Sequence, residues 1–203
     1  MTAMSGAAGL LIAGGASSRF GGAKALALLS GRPLLAWTHA ALDAVCVQVA
    51  VSARADGEVG RHAASLGWPV VSDDPAHPSG PLAGLAAGLH WARRQGCSTL
   101  VTLPVDTPLV RPADLRRLLE AARAAPAAYA RTPGGPHPLC AAWTVDLADP
   151  LNERLGRGDH PSVQGWLKEI GAAAVDFEDE AAFRNVNTKA DLTGLAGGGG
   201  SDA

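Results

Sequence analysis

The chain has few cysteines, no dense run of basic residues and no long apolar segment, and each shortage removes a class of protein. Cys46, Cys97 and Cys140 are odd in number and far apart, with no CxxC pair among them. Neither a disulfide framework nor a zinc site is expected, so the three read as reduced thiols in or near the core. The 17 Lys and Arg are dispersed against 19 Asp and Glu, leaving a net charge of −2. That balance argues against an extended nucleic-acid surface, although a small anionic ligand needs only two or three placed cations. Residues 7–13 are apolar, but the run is short and has no basic residues before it. It is neither a signal peptide nor a membrane span, and cytoplasmic residence is the default expectation.

Other absences concern chemistry. The histidines show no metal-ligand register and no Ser-His-Asp arrangement. His39 falls at helical spacing, His62 and His77 are expected in loops, and His137 and His160 each precede a proline in an irregular segment. His137 stands apart because its loop follows the first half of the chain. The glycine loop after residue 13 has neither the Gly-Lys-Ser/Thr ending of a Walker A nor a GxGxxG spacing. Hydrolysis of the P-loop type and hydride transfer are therefore not expected.

What is present is an apolar fraction of 47% over 203 residues, enough for one folded domain with an ordinary core. A single domain over 1–196 is expected, with a nucleotide-binding half near 7–125, a second half near 126–196, and a flexible GGGGSDA tail at 197–203. Short strand-like runs alternate with Ala- and Leu-rich segments, the pattern of a parallel sheet covered by helices. Strands are expected at 10–13, 45–52, 69–72 and 98–103, and helices at 33–44, 61–66, 81–95 and 112–125. Beyond Pro126 the pattern loosens. Strands at 127–131 and 139–144 joined by TPGGPHP, a helix at 162–170 and a strand at 173–177 are expected, and Thr188 with Asp191 forms a near capping box. The five tryptophans are scattered and read as packing residues.

The chemistry-bearing stretch is GLLIAGGASSRFGGAK, residues 9–24. An apolar strand delivers the backbone to Gly14 and Gly15, which can turn tightly and aim N–H groups at an anion, while Arg19 and Lys24 add positive charge. Asp106 follows a buried strand and is stiffened by Thr107 and Pro108. A hard oxygen ligand there suits Mg²⁺, which binds through one or two carboxylates and substrate phosphates; the other role for such a residue is a turn or cap. Asp73 and Asp74 follow another strand, and either can serve a base, a ribose or a metal shell, or simply start a turn. In an extended segment Asn185 and Asn187 share a face, where both amides meet one polar ligand or else satisfy turn backbone. A glycine loop with Arg and Lys plus a carboxylate after a later strand fits transfer of a nucleotidyl group from a nucleoside triphosphate.

IAGGASSRFGGAK, SDDPAHPSGPLAGL, LPVDTPL, the HP step at His137 and FRNVNTKADL occur in the order seen in MobA-type molybdenum cofactor guanylyltransferases, which the chain resembles from about residue 7 to 192. The resemblance implies an α/β, three-layer Rossmann-like nucleotidyltransferase fold with a mostly parallel central sheet. It implies transfer of GMP from GTP to the terminal phosphate of molybdopterin, releasing pyrophosphate with Mg²⁺. By position, Ile12, Ala13 and Gly14 match the guanine-binding backbone, with Gly15 and Arg19 continuing the loop, and Lys24 the lysine that holds the triphosphate. Asp73 rather than Asp74 matches the nucleotide-contacting aspartate, counted from Gly80, and Asp106 matches the Mg²⁺ ligand. His137, Asn185 and Asn187 fall on the acceptor side. A molybdenum insertion protein and apo-molybdoenzymes or their chaperones are implied as partners. Three positions depart from the family pattern: Ala23 where aspartate is common, Ser52 where asparagine contacts the nucleotide, and His160 where arginine is common. The resemblance also implies guanine over cytosine, since cytidylyl relatives tend to carry AAG and a different aspartate motif where this chain has AGG and VDTP. The competing readings are a nucleotidyltransferase using CTP or a sugar-phosphate acceptor, and a non-catalytic nucleotide-binding handover protein.

Overall fold

Strand β1 (Ala7–Ile12) is buried along its whole length. Its side chains alternate, so that Ala8, Leu10 and Ile12 enter one apolar core and Ala7 and Leu11 the other. A sheet with a core on each face is thus written into six residues. The computed structural model describes residues 6–13 and 23–197.

A single 3₁₀ turn at Lys24–Leu26 leads into a small hairpin of β2 (Leu28–Leu29) and β3 (Arg32–Pro33). Ser30 and Gly31 have φ of 50° and 79°, as a two-residue type I′ turn requires. Helix α1 (Leu34–Asp43) follows, with Pro33 at its N-cap rather than inside its first turn. Then come β4 (Gln48–Ser52), α2 (Glu58–Ser65), β5 (Val70–Val71), α3 (Pro81–Arg94), β6 (Thr99–Pro104) and α4 (Pro112–Ala121). His62 lies inside α2, in keeping with the helix expected at 61–66 and not in a loop. The remainder comprises β7 (Ala127–Thr132), β8 (Gly135–Thr144), α5 (Ala148–Gly156), α6 (Val163–Glu169), β9 (Ala173–Asp176) and α7 (Lys189–Gly197).

Seven strands form one sheet in the order β5-β4-β1-β6-β8-β7-β9. The first four are parallel, β8 is antiparallel to both β6 and β7, and β9 is parallel to β7. The core on one face takes Leu35 and Leu42 of α1, Ala63 of α2, and Leu115 and Leu118 of α4. The opposite core takes Leu82, Leu85 and Leu89 of α3, Leu151 and Leu155 of α5, and Trp166 of α6. The result is the expected three-layer α/β architecture. Helix α3 comes down close on the sheet because Gly88 has no side chain: a Cβ there would lie 2.4 Å from Leu10 Cδ2.

Most of TPGGPHP is strand, paired as Thr132 with Gly135 and Ala130 with His137, with a register shift between Tyr129 and Ala130. His137 is accordingly a half-buried strand residue. Helix α5 was not expected, and Gly197 ends α7 instead of starting a loose tail; residues 198–203 lie outside the described residues. The three cysteines are free thiols, with Cys97 and Cys140 buried and Cys46 half-buried. Burial pushes the Cys46 and Cys140 thiols up to about 12. No helix among the described residues is long and apolar enough to cross a membrane.

Candidate active site

The C-terminal ends of β4, β1 and β6 are tied together by backbone bonds. Ala13 N–H donates to Ser52 O at 3.2 Å, and Val105 N–H donates to Ile12 O at 3.1 Å. Ligands of open parallel sheets collect at such an edge. Beyond β6 the chain turns at once, with Thr107 N–H donating to Pro104 O and the buried Thr107 hydroxyl donating to the same carbonyl at 2.9 Å. Val105 is buried by this turn and Asp106 is left facing outward, 21% exposed.

Lys24 meets Asp106 there. Its position is fixed by the 3₁₀ turn, in which Ala25 is inserted into the core. Lys24 Nζ donates to Asp106 Oδ2 at 2.8 Å and to Asn187 Oδ1 at 2.9 Å. Asn187 arrives from far along the chain for a simple reason. Val186, fully buried, packs with Leu29 and Leu34 in a small satellite core, and its N–H donates to Asp106 O at 2.8 Å. With Val186 turned inward, Asn185 and Asn187 are exposed on either side of it. The segment is then stopped by the capping box: Asp191 Oδ2 accepts from the N–H groups of Asn187 and Thr188 at 2.7 Å each, and Asp191 N–H donates to Thr188 Oγ1 at 3.2 Å.

Along the same strand-end edge lies a cavity of about 450 Å³ lined by Ile12, Ser52, Asp73, Ser79, Gly80 and Gly84, among others. Gly84 lets α3 pass close to these side chains, since a Cβ would lie 2.6 Å from Ser52 Oγ and 3.3 Å from Asp73 Oδ1. Partial burial raises the Asp73 carboxyl above the ordinary value. Asp74 faces elsewhere: its Oδ1 accepts from Ala76 N–H at 2.9 Å, which is a turn role, and it lines a different cavity.

A second cavity, of about 490 Å³, is lined by His137, Glu180, Phe183, Arg184, Asn185 and Asn187. His137 Nε2 lies 3.0 Å from Thr132 Oγ1, and its ring stands 5.3 Å from that of Phe183. Burial lowers the His137 pKa, opposed by the carboxylate of Glu180. Asn187 belongs both to this cavity and to the Lys24 cluster, so it joins the two.

The structure therefore brings Lys24, Asp106 and Asn187 into contact, gathers Ile12, Ser52, Asp73 and Gly80 around one cavity, and gathers His137, Asn185 and Asn187 around another. Gly14, Gly15 and Arg19 lie outside the described residues. As to a metal, no group of three or more His, Cys, Asp or Glu suited to a cation occurs among the described residues. Asp106 and Asn187 still offer hard oxygens beside one another. That donor set fits Mg²⁺, which draws most of its ligands from water and substrate phosphates. Sequence reasoning singled out His160 as a departure from the family pattern but not its place here, with Nε2 2.8 Å from Ser79 O at the rim of the first cavity. No local signal marks the contact, because it spans 81 residues.

The family model described as the MobA-like NTP transferase domain matches residues 9–173. A protein of Cereibacter sphaeroides named molybdenum cofactor guanylyltransferase is 43% identical over 185 residues, covering 91% of this chain and 92% of its own. Among solved structures, molybdopterin-guanine dinucleotide biosynthesis protein A from Archaeoglobus fulgidus superposes with a TM-score of 0.76 at 22% identity, over 94% of this chain and 97% of its own. A Mycobacterium tuberculosis protein solved in complex with manganese superposes at 0.64 with 18% identity, over 95% and 99%. The two structural likenesses speak to the fold, and the family model and the sequence relative to descent: the chain belongs to the MobA-like NTP transferase family.

Proposed function

We propose that this chain transfers GMP from GTP to the terminal phosphate of molybdopterin, giving molybdopterin guanine dinucleotide and pyrophosphate. The observation that carries the reading is the Lys24–Asp106–Asn187 cluster, which shares Asn187 with the second cavity and follows directly on Val105, whose N–H is bonded to Ile12 of the first. The relative named above supports the choice of reaction.

The first cavity would take the nucleoside. Its lining offers acceptors in the Asp73 carboxylate and the serine hydroxyls, beside a donor in the Arg54 guanidinium. Acceptors suit guanine, whose ring edge presents N–H donors, with Ser52 closing the floor and Gly80 and Gly84 the wall. Lys24 would exchange its present partners for the triphosphate, together with Arg19 and the backbone of Gly14 and Gly15. An oxygen of the acceptor phosphate attacks the α-phosphorus, the bond from that phosphorus to the bridging oxygen breaks, and pyrophosphate leaves; no protein nucleophile is required. Lys24 neutralises charge that grows on the transferring and leaving groups, which is where such sites gain most of their rate. Asp106, with Asn187, would hold Mg²⁺, which when bound supplies further charge neutralisation on the phosphates. His137, Asn185 and Asn187 would position the acceptor. Receipt of metal from an insertion protein, handover to apo-molybdoenzymes or their chaperones, and a cytoplasmic setting belong to the same proposal.

Purified protein with GTP, Mg²⁺ and molybdopterin is expected to release pyrophosphate, and Asp106→Ala to stop it. A thermal-shift panel of the four nucleoside triphosphates is expected to rank GTP first. Stabilisation by CTP alone would move the reading to a cytidylyl enzyme, and GTP binding without release would make the protein a carrier.

A further inference from the structure

The wall of the first cavity at Ser79–Gly80–Pro81 is held in part from outside its own segment. Gly80 has φ of 154° and ψ of 179°, a conformation open to glycine, and it caps α3 without any side-chain hydrogen bond. The support comes from the other half of the molecule. His160 lies in the connection between α5 and α6, and its Nε2 stands 2.8 Å from Ser79 O. A carbonyl only accepts, so Nε2 carries the proton and donates. The ring also covers Gly80: a Cβ on that residue would lie 3.0 Å from His160 Cε1 and 3.3 Å from Nε2.

The connection that carries His160 is itself braced. Gly158 leaves α5 with φ of 83°, and its N–H donates to Leu155 O at 2.9 Å. Arg154 pairs with Asp159 at 3.0 Å and also with Glu169 of α6. Pro161 fixes the next φ, and Ser162 caps α6 by accepting from Gly165 N–H at 3.0 Å. The imidazole is thus a braced post against a loop whose own tie at this point is Ala83 N–H donating to Gly80 O at 3.1 Å.

We propose that His160 is a positioning residue, which clamps Ser79–Gly80 in the shape that receives the nucleotide and makes nucleotide affinity depend on the α5–α6 connection. The proposal rests on the reading of the first cavity as the nucleotide site. It gives a place to a residue that the sequence marks only as a departure from the family pattern: the imidazole serves the nucleotide wall.

The test compares wild type with His160→Ala and His160→Gln, the latter keeping an N–H donor at the same reach. All are first checked for cooperative thermal unfolding. Hydrogen exchange of the peptide spanning residues 79–86, without ligand, is expected to quicken in His160→Ala and to return toward wild type in His160→Gln. In the transfer assay, His160→Ala is expected to raise KM for GTP about tenfold with kcat within about twofold, the size of one lost hydrogen bond, and His160→Gln to recover most of it. Unchanged exchange, or an unchanged KM in an enzyme that uses GTP, would overturn the clamp. A wild type that binds no nucleotide would overturn the functional reading, while the exchange result would still decide whether the clamp exists.

Discussion

The two ends of the sheet deliver their site residues by different means. In the parallel part, β5, β4, β1 and β6 end along one edge, and Ser52, Ile12, Asp73 and Asp106 stand at or just past those ends. In the part made of β8, β7 and β9, His137 is inside a strand, and Asn185 and Asn187 come from a coil beyond β9 that crosses back to β6. The first set is positioned by topology, since strands of one direction present their C-terminal ends together. The second is positioned by a few specific bonds: Val186 N–H to Asp106 O, Lys24 Nζ to Asn187 Oδ1, and the Asp191 box. Loss of a residue in the first set should therefore act on its own step, whereas loss of the joining residue Asn187 should be felt on both sides.

The largest effect is expected at the hinge of the comparison. Asp106→Ala should lower kcat/KM by roughly 10²–10³-fold or more, as measured by pyrophosphate release, because a site for charge stabilisation is lost and Lys24 keeps only Asn187. Lys24→Met should cost about ten- to a hundredfold in the same assay, the scale of one charge-assisted hydrogen bond of about 1.5–3 kcal/mol.

Smaller effects sharpen the contrast. Asn187→Ala should raise KM for both substrates about three- to tenfold, and Asn185→Ala should raise it for the acceptor alone. Equal effects of the two variants would erase the distinction between the joining and the flanking asparagine. Smallest of all is a pH effect at Asp73. Partial burial raises its folded pKa, so the carboxyl's favourable contribution is complete below the unfolded value and is lost as pH rises through the folded one. Asp73→Asn should therefore raise the melting temperature slightly at about pH 7, with the gain shrinking as pH falls toward about 4. The same variant should weaken GTP binding, which separates the site role from the cost to stability.

The parallel half was legible because its signals are local. A buried strand followed by a glycine pair or by an aspartate states both the element and where its end points, and β1, β6 and α3 matched to within a few residues. The other half hid for physical reasons. Strand β8 is long, antiparallel and faces a register shift, so prolines and glycines that look like a loop are strand residues at the sheet's irregular end. The asparagine pair could be seen, but not the satellite core of Leu29, Leu34 and Val186 that aims it, nor the β2–β3 hairpin that supplies Leu29. The contacts of Lys24 with Asp106 and Asn187 span 82 and 163 residues, and no spacing rule reaches that far.

The most direct test of the central claim follows the label. With GTP labelled at the α-phosphate, or separately at the γ-phosphate, and molybdopterin as acceptor, the α label should appear in the pterin product and the γ label in pyrophosphate. Release of the γ label as orthophosphate, or no α label in the pterin at any nucleotide concentration, would contradict it.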